Sequence, residues 1–303
     1  MRIEKISFIG CGALGIMYAS HMLKSLAPRQ VQFVADSEWV KIYRGHEFFA
    51  NGERQNFTFK DPNLDDYPSD LVIFAVKFPD LNEAIRVAKN HVGERTIVLS
   101  FMNGITSEEI IAKTYNPQKI LYSMATDLDP TREKYSVNFS KTGNITFGSA
   151  VGGQDEEIAD LAEFFQRVDL NYKISKDIMA ALWWKYVMNI GINQVSALLQ
   201  ASYGELRTEY AENLIKMTMY EAYEVALREG IYLKCEEIDK AALASRNLSP
   251  VGKTSMCQDM DAKRPTEVDM FAGAIIEMGK KHGISVPANT FLYNAIKALE
   301  SQF

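Results

Sequence analysis

An α/β chain, with a mostly parallel, doubly wound sheet in its first half and an all-helical second half, is the fold class that three observations predict. Apolar runs recur at 6–9, 71–76 and 96–101, each followed by a helix-compatible stretch, as strands buried on both faces of a parallel sheet require. A glycine-rich hexapeptide, Gly10-Cys11-Gly12-Ala13-Leu14-Gly15, joins the first run to the first helix. Beyond Ser175 the pattern is helical throughout, which divides the chain into domains 1–175 and 176–303.

The hexapeptide fits G-x-G-x-x-G in the context that gives the motif meaning. The first glycine allows a tight turn, the second lets the backbone approach a pyrophosphate, and the third lets helix and strand pack closely. The helix over 16–26 would turn its unpaired N–H groups and positive end toward the phosphates. Gly10, Cys11, Gly12, Ala13, Leu14 and Gly15 are therefore predicted to bind a dinucleotide on a Rossmann-type sheet.

A second strand over 31–35 ends at Asp36, about 20 residues beyond the glycines, where an acid usually bonds the ribose 2′-OH. Asp36 also reads as the cap of a short helix entered through Ser37. The runs 71–76 and 96–101 end at Lys77 and at Asn103-Gly104, with helices following over 81–90 and 107–114. Ligands bind outside the carboxyl ends of such strands, so the four ends are predicted to ring one cofactor. Taken singly, Lys77 reads equally as a solvated lysine and Asn103-Gly104 as a turn. Alternation around a glycine turn over 135–149 predicts an antiparallel hairpin at the sheet edge. A helix over 155–168 and a short strand over 172–174 complete this half.

In the second half, Ser175 is a suitable N-cap for a helix starting at Lys176. Its most informative part is Trp183-Trp184-Lys185-Tyr186-Val187-Met188-Asn189-Ile190-Gly191-Ile192-Asn193. Lys185, Asn189 and Asn193 are spaced i, i+4, i+8 and share one face of an otherwise apolar helix. An ordinary solvent stripe carries several charges of both signs; one lysine with two amides suggests a face on a cleft. The tryptophans read as core. Further helices are predicted over 214–228, 236–244, 256–263, 267–281 and 290–299, with Gly230 and Gly283 at helix ends. Ser255 and Glu267 are further candidates, although an acid opening a helix can simply complement the helix dipole.

Composition excludes several classes. Of the 303 residues 47% are apolar and 24% charged, as in an ordinary soluble protein, and the net charge of -6 offers no footprint for nucleic acid. Cys11, Cys235 and Cys257 are widely spaced and the four histidines scattered, so neither a disulfide framework nor a metal site is expected. Arg2 and Lys5 precede an apolar stretch, but glycines interrupt it, so a cytoplasmic protein without signal peptide or membrane span is expected. The apolar surfaces of the helical half are compatible with a homodimer.

Taken together, these residues resemble the ketopantoate reductase (2-dehydropantoate 2-reductase) family along nearly the whole chain. The resemblance is carried by GCGALG, by AVK ending at Lys77, by MNG around Asn103, and by W-x-K-x-x-x-N-x-x-x-N from Trp183. TSMCQD, KRPTE and the stretch 283–289 add to it. It implies a Rossmann domain plus a helical domain with the active site between them. It further implies hydride transfer from NADPH to the ketone carbon of a 2-oxo acid, in pantothenate biosynthesis. By position, Lys185 resembles the catalytic lysine and Glu267 the pocket glutamate. Asn189, Asn193 and Ser255 resemble substrate contacts, Asn103 the asparagine beside cofactor and substrate, and Lys77 the lysine at the nicotinamide end. A lysine in a partly desolvated cleft would have its pKa lowered toward the working range.

Two departures stand out. Asp36 occupies the place where many members carry a basic residue for the 2′-phosphate, which suggests NADH use, although Lys41 and Arg44 lie close in sequence. Tyr203 stands where well-studied members have a substrate-binding asparagine, which leaves another 2-oxo or 3-hydroxy acid open as substrate. A non-catalytic nucleotide-binding protein is a third reading, against which Lys185 and Glu267 both speak.

Overall fold

Four-residue apolar runs make the centre of the first unit because their strands are covered on both faces. The computed structural model describes residues 1–63 and 68–303. The first unit, Met1–Ile178, runs β1 (Ile6–Ile9), α1 (Ala13–Met22), β2 (Val31–Val34), α2 (Ser37–Arg44), β3 (Phe48–Ala50), β4 (Glu53–Gln55), β5 (Thr58–Lys60), β6 (Leu71–Phe74), α3 (Leu81–Ala88), β7 (Ile97–Ser100), α4 (Ser107–Ala112), β8 (Ile120–Thr126), β9 (Thr131–Glu133), β10 (Ser136–Asn138), β11 (Asn144–Gly148), α5 (Asp155–Arg167) and β12 (Tyr172–Ile174).

The main sheet has the order β12-β11-β8-β7-β6-β1-β2-β5, and every neighbouring pair except β8–β11 is parallel. Period-two alternation sends Ile6, Phe8, Phe33, Ile73 and Leu99 to the face under α1 and α5. Ile9, Val34, Val72, Phe74 and Val98 go to the face under α3 and α4. Helices on both faces make the sheet doubly wound. Ser7, the polar member of β1, is satisfied internally: its hydroxyl bonds Ser69 Oγ (2.7 Å) and accepts from Gln32 Nε2 (2.9 Å).

The expected hairpin over 135–149 does not form. Ser136–Asn138 pairs antiparallel with Thr131–Glu133 in a separate four-stranded sheet, while Asn144–Gly148 pairs antiparallel with β8 in the main one. Gly143 redirects the chain at φ 69°, packed so tightly that a Cβ there would lie 2.1 Å from the Thr126 carbonyl oxygen. The chain is thus delivered to the long edge of β8, where its register runs from Asn144↔Thr126 to Gly148↔Tyr122.

The second unit, Met179–Phe303, is all helical. It comprises α6 (Ile178–Leu199), α7 (Glu209–Arg228), α8 (Glu236–Ala242), α9 (Ser255–Asp261), α10 (Ala274–His282) and α11 (Pro287–Glu300). The helix expected from Lys176 begins at Ile178. At Gly191 α6 runs against α7 so closely that a Cβ would lie 2.5 Å from Met219 Cγ and 3.0 Å from the Ile215 carbonyl oxygen. Gly283, left-handed at φ 67°, ends α10, and Pro287 opens α11. Glu221 of α7 caps that new helix, accepting from the amides of Ala288 (2.7 Å) and Asn289 (2.9 Å). Among the described residues no helix is long and apolar enough to cross a membrane.

Candidate active site

The four strand ends singled out in the sequence belong to adjacent parallel strands, in the order β7-β6-β1-β2. The three motif glycines differ in what demands them. Gly10 has φ 113°, and a Cβ would lie 2.5 Å from the Ala75 carbonyl oxygen; at Gly15 it would lie 2.2 Å from that of Gly10. The fold itself therefore requires both. Gly12 has an ordinary φ of -88°, and the nearest atom to an added Cβ is 3.6 Å away. That atom, the Ala75 carbonyl oxygen, would be in ordinary contact with the methyl, so the fold tolerates a side chain here.

Gly12 is also the N-cap of α1, which has no side-chain cap and no acid in its first turn, so no side chain of that turn would compete with an anion for its leading amides. Ala13 and Leu14 begin that helix half-exposed. Cys11 is buried, and burial pushes its thiol up to about 12, so it serves the loop through its backbone and not as a nucleophile.

Asp36 caps α2, but both capping bonds fall on one oxygen: Oδ1 accepts from Glu38 N (3.0 Å) and Trp39 N (2.9 Å). Neither capping bond uses Oδ2, so the capping role does not exclude the ribose reading of this residue. A second anion went unnoticed in the sequence. Buried Asp61 accepts from the Ser37 hydroxyl and from Asn63 N (2.9 Å), and these bonds hold its carboxyl below the usual range. Of the two nearby bases, Arg44 is committed to the Phe59 carbonyl oxygen (2.8 Å), while Lys41 is exposed.

Lys77 is exposed beyond β6 and Asn103 half-exposed beyond β7. The Asn103 loop is pinned from below by a buried chain that sequence reasoning missed. Ser100 Oγ bonds Ser107 Oγ (2.8 Å), Ser107 Oγ donates to Glu108 Oε2 (2.7 Å), and Ser123 Oγ donates to the Ser100 carbonyl oxygen (2.7 Å). Burial pushes the Glu108 carboxyl up to about 7, against the pull of the Ser107 hydroxyl. The folded state then holds a proton that the unfolded chain releases near pH 4.5. Stability is expected to fall as pH rises from about 4.5 through 7, by about 3 kcal/mol, and to level off above. Glu108→Gln should flatten that slope, as urea midpoints at pH values of about 5 and 8 would show.

In the second unit Lys185, Asn189 and Asn193 are half-exposed along one face of α6, whereas Tyr186, Val187, Ile190, Gly191, Gln194 and Val195 are buried. Ser255 is exposed at the start of α9, behind the Thr254 cap, whose Oγ1 accepts from Cys257 N (3.1 Å). The Cys257 thiol meets Ser196, which ties α9 to the downstream end of α6. Tyr203 donates its amide to the Gly252 carbonyl oxygen (2.8 Å), and its ring lies where a Cβ on Gly252 would come within 3.0 Å.

Glu267 is half-buried but does not open an α-helix as expected. It precedes a π turn, Asp269–Gly273, and only then does α10 begin. The reason lies on α6: Gln194 Oε1 accepts from Ala272 N (3.0 Å), and Tyr186 Oη donates toward the carbonyl oxygens of Met270 (2.7 Å) and Phe271 (3.1 Å). Among the described residues no group of three or more His, Cys, Asp or Glu side chains is placed to hold a metal.

The chain is similar to known proteins over nearly its whole length. Residues 6–152 match the family model described as ketopantoate reductase PanE/ApbA, and residues 177–300 match its C-terminal counterpart. The 2-dehydropantoate 2-reductase of Vibrio cholerae is 27% identical over 301 residues, covering 98% of each chain. A D-mandelate dehydrogenase solved with NADH and anilino(oxo)acetate superposes with a TM-score of 0.88 at 24% identity, again over 98% of each chain. A ketopantoate reductase from Staphylococcus aureus, described as dimeric, gives 0.80 at 18%, over 98% of this chain and 99% of the other.

Proposed function

The chain belongs to the ketopantoate reductase family of NAD(P)-dependent oxidoreductases, and from that premise we propose that it reduces a 2-oxo acid, with 2-dehydropantoate the first candidate. The observation that carries this reading is the stripe of Lys185, Asn189 and Asn193: one ammonium and two amides, half-exposed on a helix whose other unburied side chains are all apolar. Such a set suits a small substrate with a carboxylate, a ketone and a hydroxyl.

Three features of the first unit support a dinucleotide: a glycine at position 12 that the fold itself does not demand, the uncapped start of α1, and the second oxygen of Asp36. Gly10 through Gly15 would hold the diphosphate, Asp36 the ribose, and Lys77 with Asn103 the nicotinamide end. When bound, the reduced nicotinamide supplies the hydride. The Lys185 ammonium then stabilises the charge that develops on the ketone oxygen and delivers the proton that completes the alcohol. Asn189, Asn193 and Ser255 orient the acid, and Glu267 bonds the substrate hydroxyl or holds the lysine. The protein's share is orientation and field.

Two carboxylates at the start of α2, with Arg44 drawn off to Phe59, favour NADH over NADPH. The expected ratio of kcat/KM is about tenfold, the equivalent of ~1.4 kcal/mol of like-charge repulsion against a 2′-phosphate. Tyr203 supports a second reading, a 2-oxo acid other than 2-dehydropantoate. Loss of reduced-cofactor absorbance tests all three points with either cofactor and a panel of 2-dehydropantoate, pyruvate and phenylglyoxylate. No oxidation with any 2-oxo acid would reject the activity, and a large NADPH advantage would reject the role of Asp36.

A further inference from the structure

A helix breaks its own pattern beside Glu267. In an α-helix each amide bonds the carbonyl four residues back, but Gly273 N bonds the Val268 carbonyl oxygen five back (3.0 Å), so one extra residue is wound into this turn. Met270 N and Phe271 N both take the Glu267 carbonyl oxygen (3.0 Å each), and Ala272 N takes the side chain of Gln194. One extra residue rotates whatever precedes it by about 100° around the helix axis. The two residues immediately preceding are Glu267 and Val268, so the turn sets the direction in which Glu267 leaves the helix.

Tyr293 (2.8 Å) and Lys297 (3.1 Å) of α11 hold the Asp269 side chain of the turn, but its backbone is held by two fully buried residues of one other helix. Tyr186 and Gln194 lie on α6, each one position beyond a member of the half-exposed stripe, Lys185 and Asn193. The Gln194 amide cannot reverse: its Nε2 donates to the Ile190 carbonyl oxygen (2.8 Å) and to Asn289 Oδ1 (3.3 Å), which fixes Oε1 on Ala272. Asn289 is itself oriented by the Thr218 carbonyl oxygen (3.2 Å) and by Glu221 Oε2 (2.8 Å). Tyr186 can donate only one proton, and it points between two carbonyls of the turn.

We propose that Tyr186 and Gln194 are positioning residues for Glu267, fixing its aim by stabilising the π turn from the same helix that carries Lys185; the proposal rests on Glu267 serving the reaction. Removing the clamp lets the turn relax toward a regular helix and swings the carboxylate away from its working direction. Both side chains are fully buried, so neither is offered to a ligand at the protein surface.

The test is a double-mutant cycle on the intact chain with 2-dehydropantoate, or with phenylglyoxylate if that is the better substrate. Tyr186→Phe removes one oxygen and keeps the ring, so it tests the clamp even if Gln194→Leu fails to fold. Each single change is expected to lower kcat/KM for the acid about tenfold, with KM for the cofactor within twofold. In a Glu267→Ala background the same Tyr186→Phe change should alter kcat/KM less than twofold, because the aim of an absent carboxylate is immaterial. A tenfold loss in both backgrounds would show a general structural role and overturn the proposal, as would wild-type kinetics in Tyr186→Phe. Wild-type kinetics in Glu267→Ala would instead remove the assumed role of Glu267, and the proposal with it. A crystal structure of Tyr186→Phe gives an independent readout: the turn should lose its extra residue or its order, and an unchanged turn counts against the clamp.

Discussion

Lys185→Ala is expected to lower turnover of the 2-oxo acid about a thousandfold while leaving cofactor affinity within a factor of about three. The size follows from the two tasks given to one amine. A positioned donor at a developing oxyanion contributes roughly 10²–10³, and proton delivery in the transition state a comparable factor that overlaps with it. The selectivity follows from placement: Lys185 is on α6 of the second unit, whereas the residues proposed to cradle the dinucleotide belong to the first. Lys185→Arg separates the tasks. Arginine keeps the charge but gives up no proton in the working pH range, so partial rescue would assign more of the effect to field and less to proton transfer. Turnover within a few fold of wild type in Lys185→Ala would exclude the lysine from the chemistry.

The second large effect is a contrast between neighbouring glycines. Gly12→Ala is expected to weaken NADH and NADPH binding about a hundredfold, some 2.7 kcal/mol, with little change in fold. The protein itself has room for that methyl, at 3.6 Å from its nearest atom, and the only intrinsic cost is the ~1 kcal/mol or less between glycine and alanine at an N-cap. Gly10→Ala is expected to behave in the opposite way. Its methyl would meet the Ala75 carbonyl oxygen at 2.5 Å, at a φ of 113°, so the turn between β1 and α1 must distort and the domain should lose several kcal/mol. Fluorescence titration of the cofactor beside thermal melts of both variants checks the pair. Equal affinities in Gly12→Ala and wild type would mean that no diphosphate approaches there.

Much of this layout was legible in the sequence because it depends on local spacing. The unbroken apolar run 71–76 and the run 96–101, which carries only two hydroxyl residues, read most economically as buried strands, and the glycine hexapeptide stands between a strand and a helix. The stripe on α6 was legible because three polar residues at four-residue steps survive in an apolar background. What escaped depends on partners distant in the chain. Asp61 meets Ser37 across 24 residues, and Tyr186 meets the π turn across 84. The false hairpin over 135–149 has the same origin: alternation reports which residues face a core, not which strand lies alongside. Gln194 did leave a trace, since a glutamine inside so apolar a helix must find buried partners, but its spacing could not say where they were.

Because α6 carries Lys185 on one face and grips the Glu267 turn with the next, thermal sway of that helix is common-mode. On the proposed clamp, the amine and the backbone bearing the carboxylate would drift together as two marks on a single ruler, less exposed to displacements that would scatter groups mounted on independent supports.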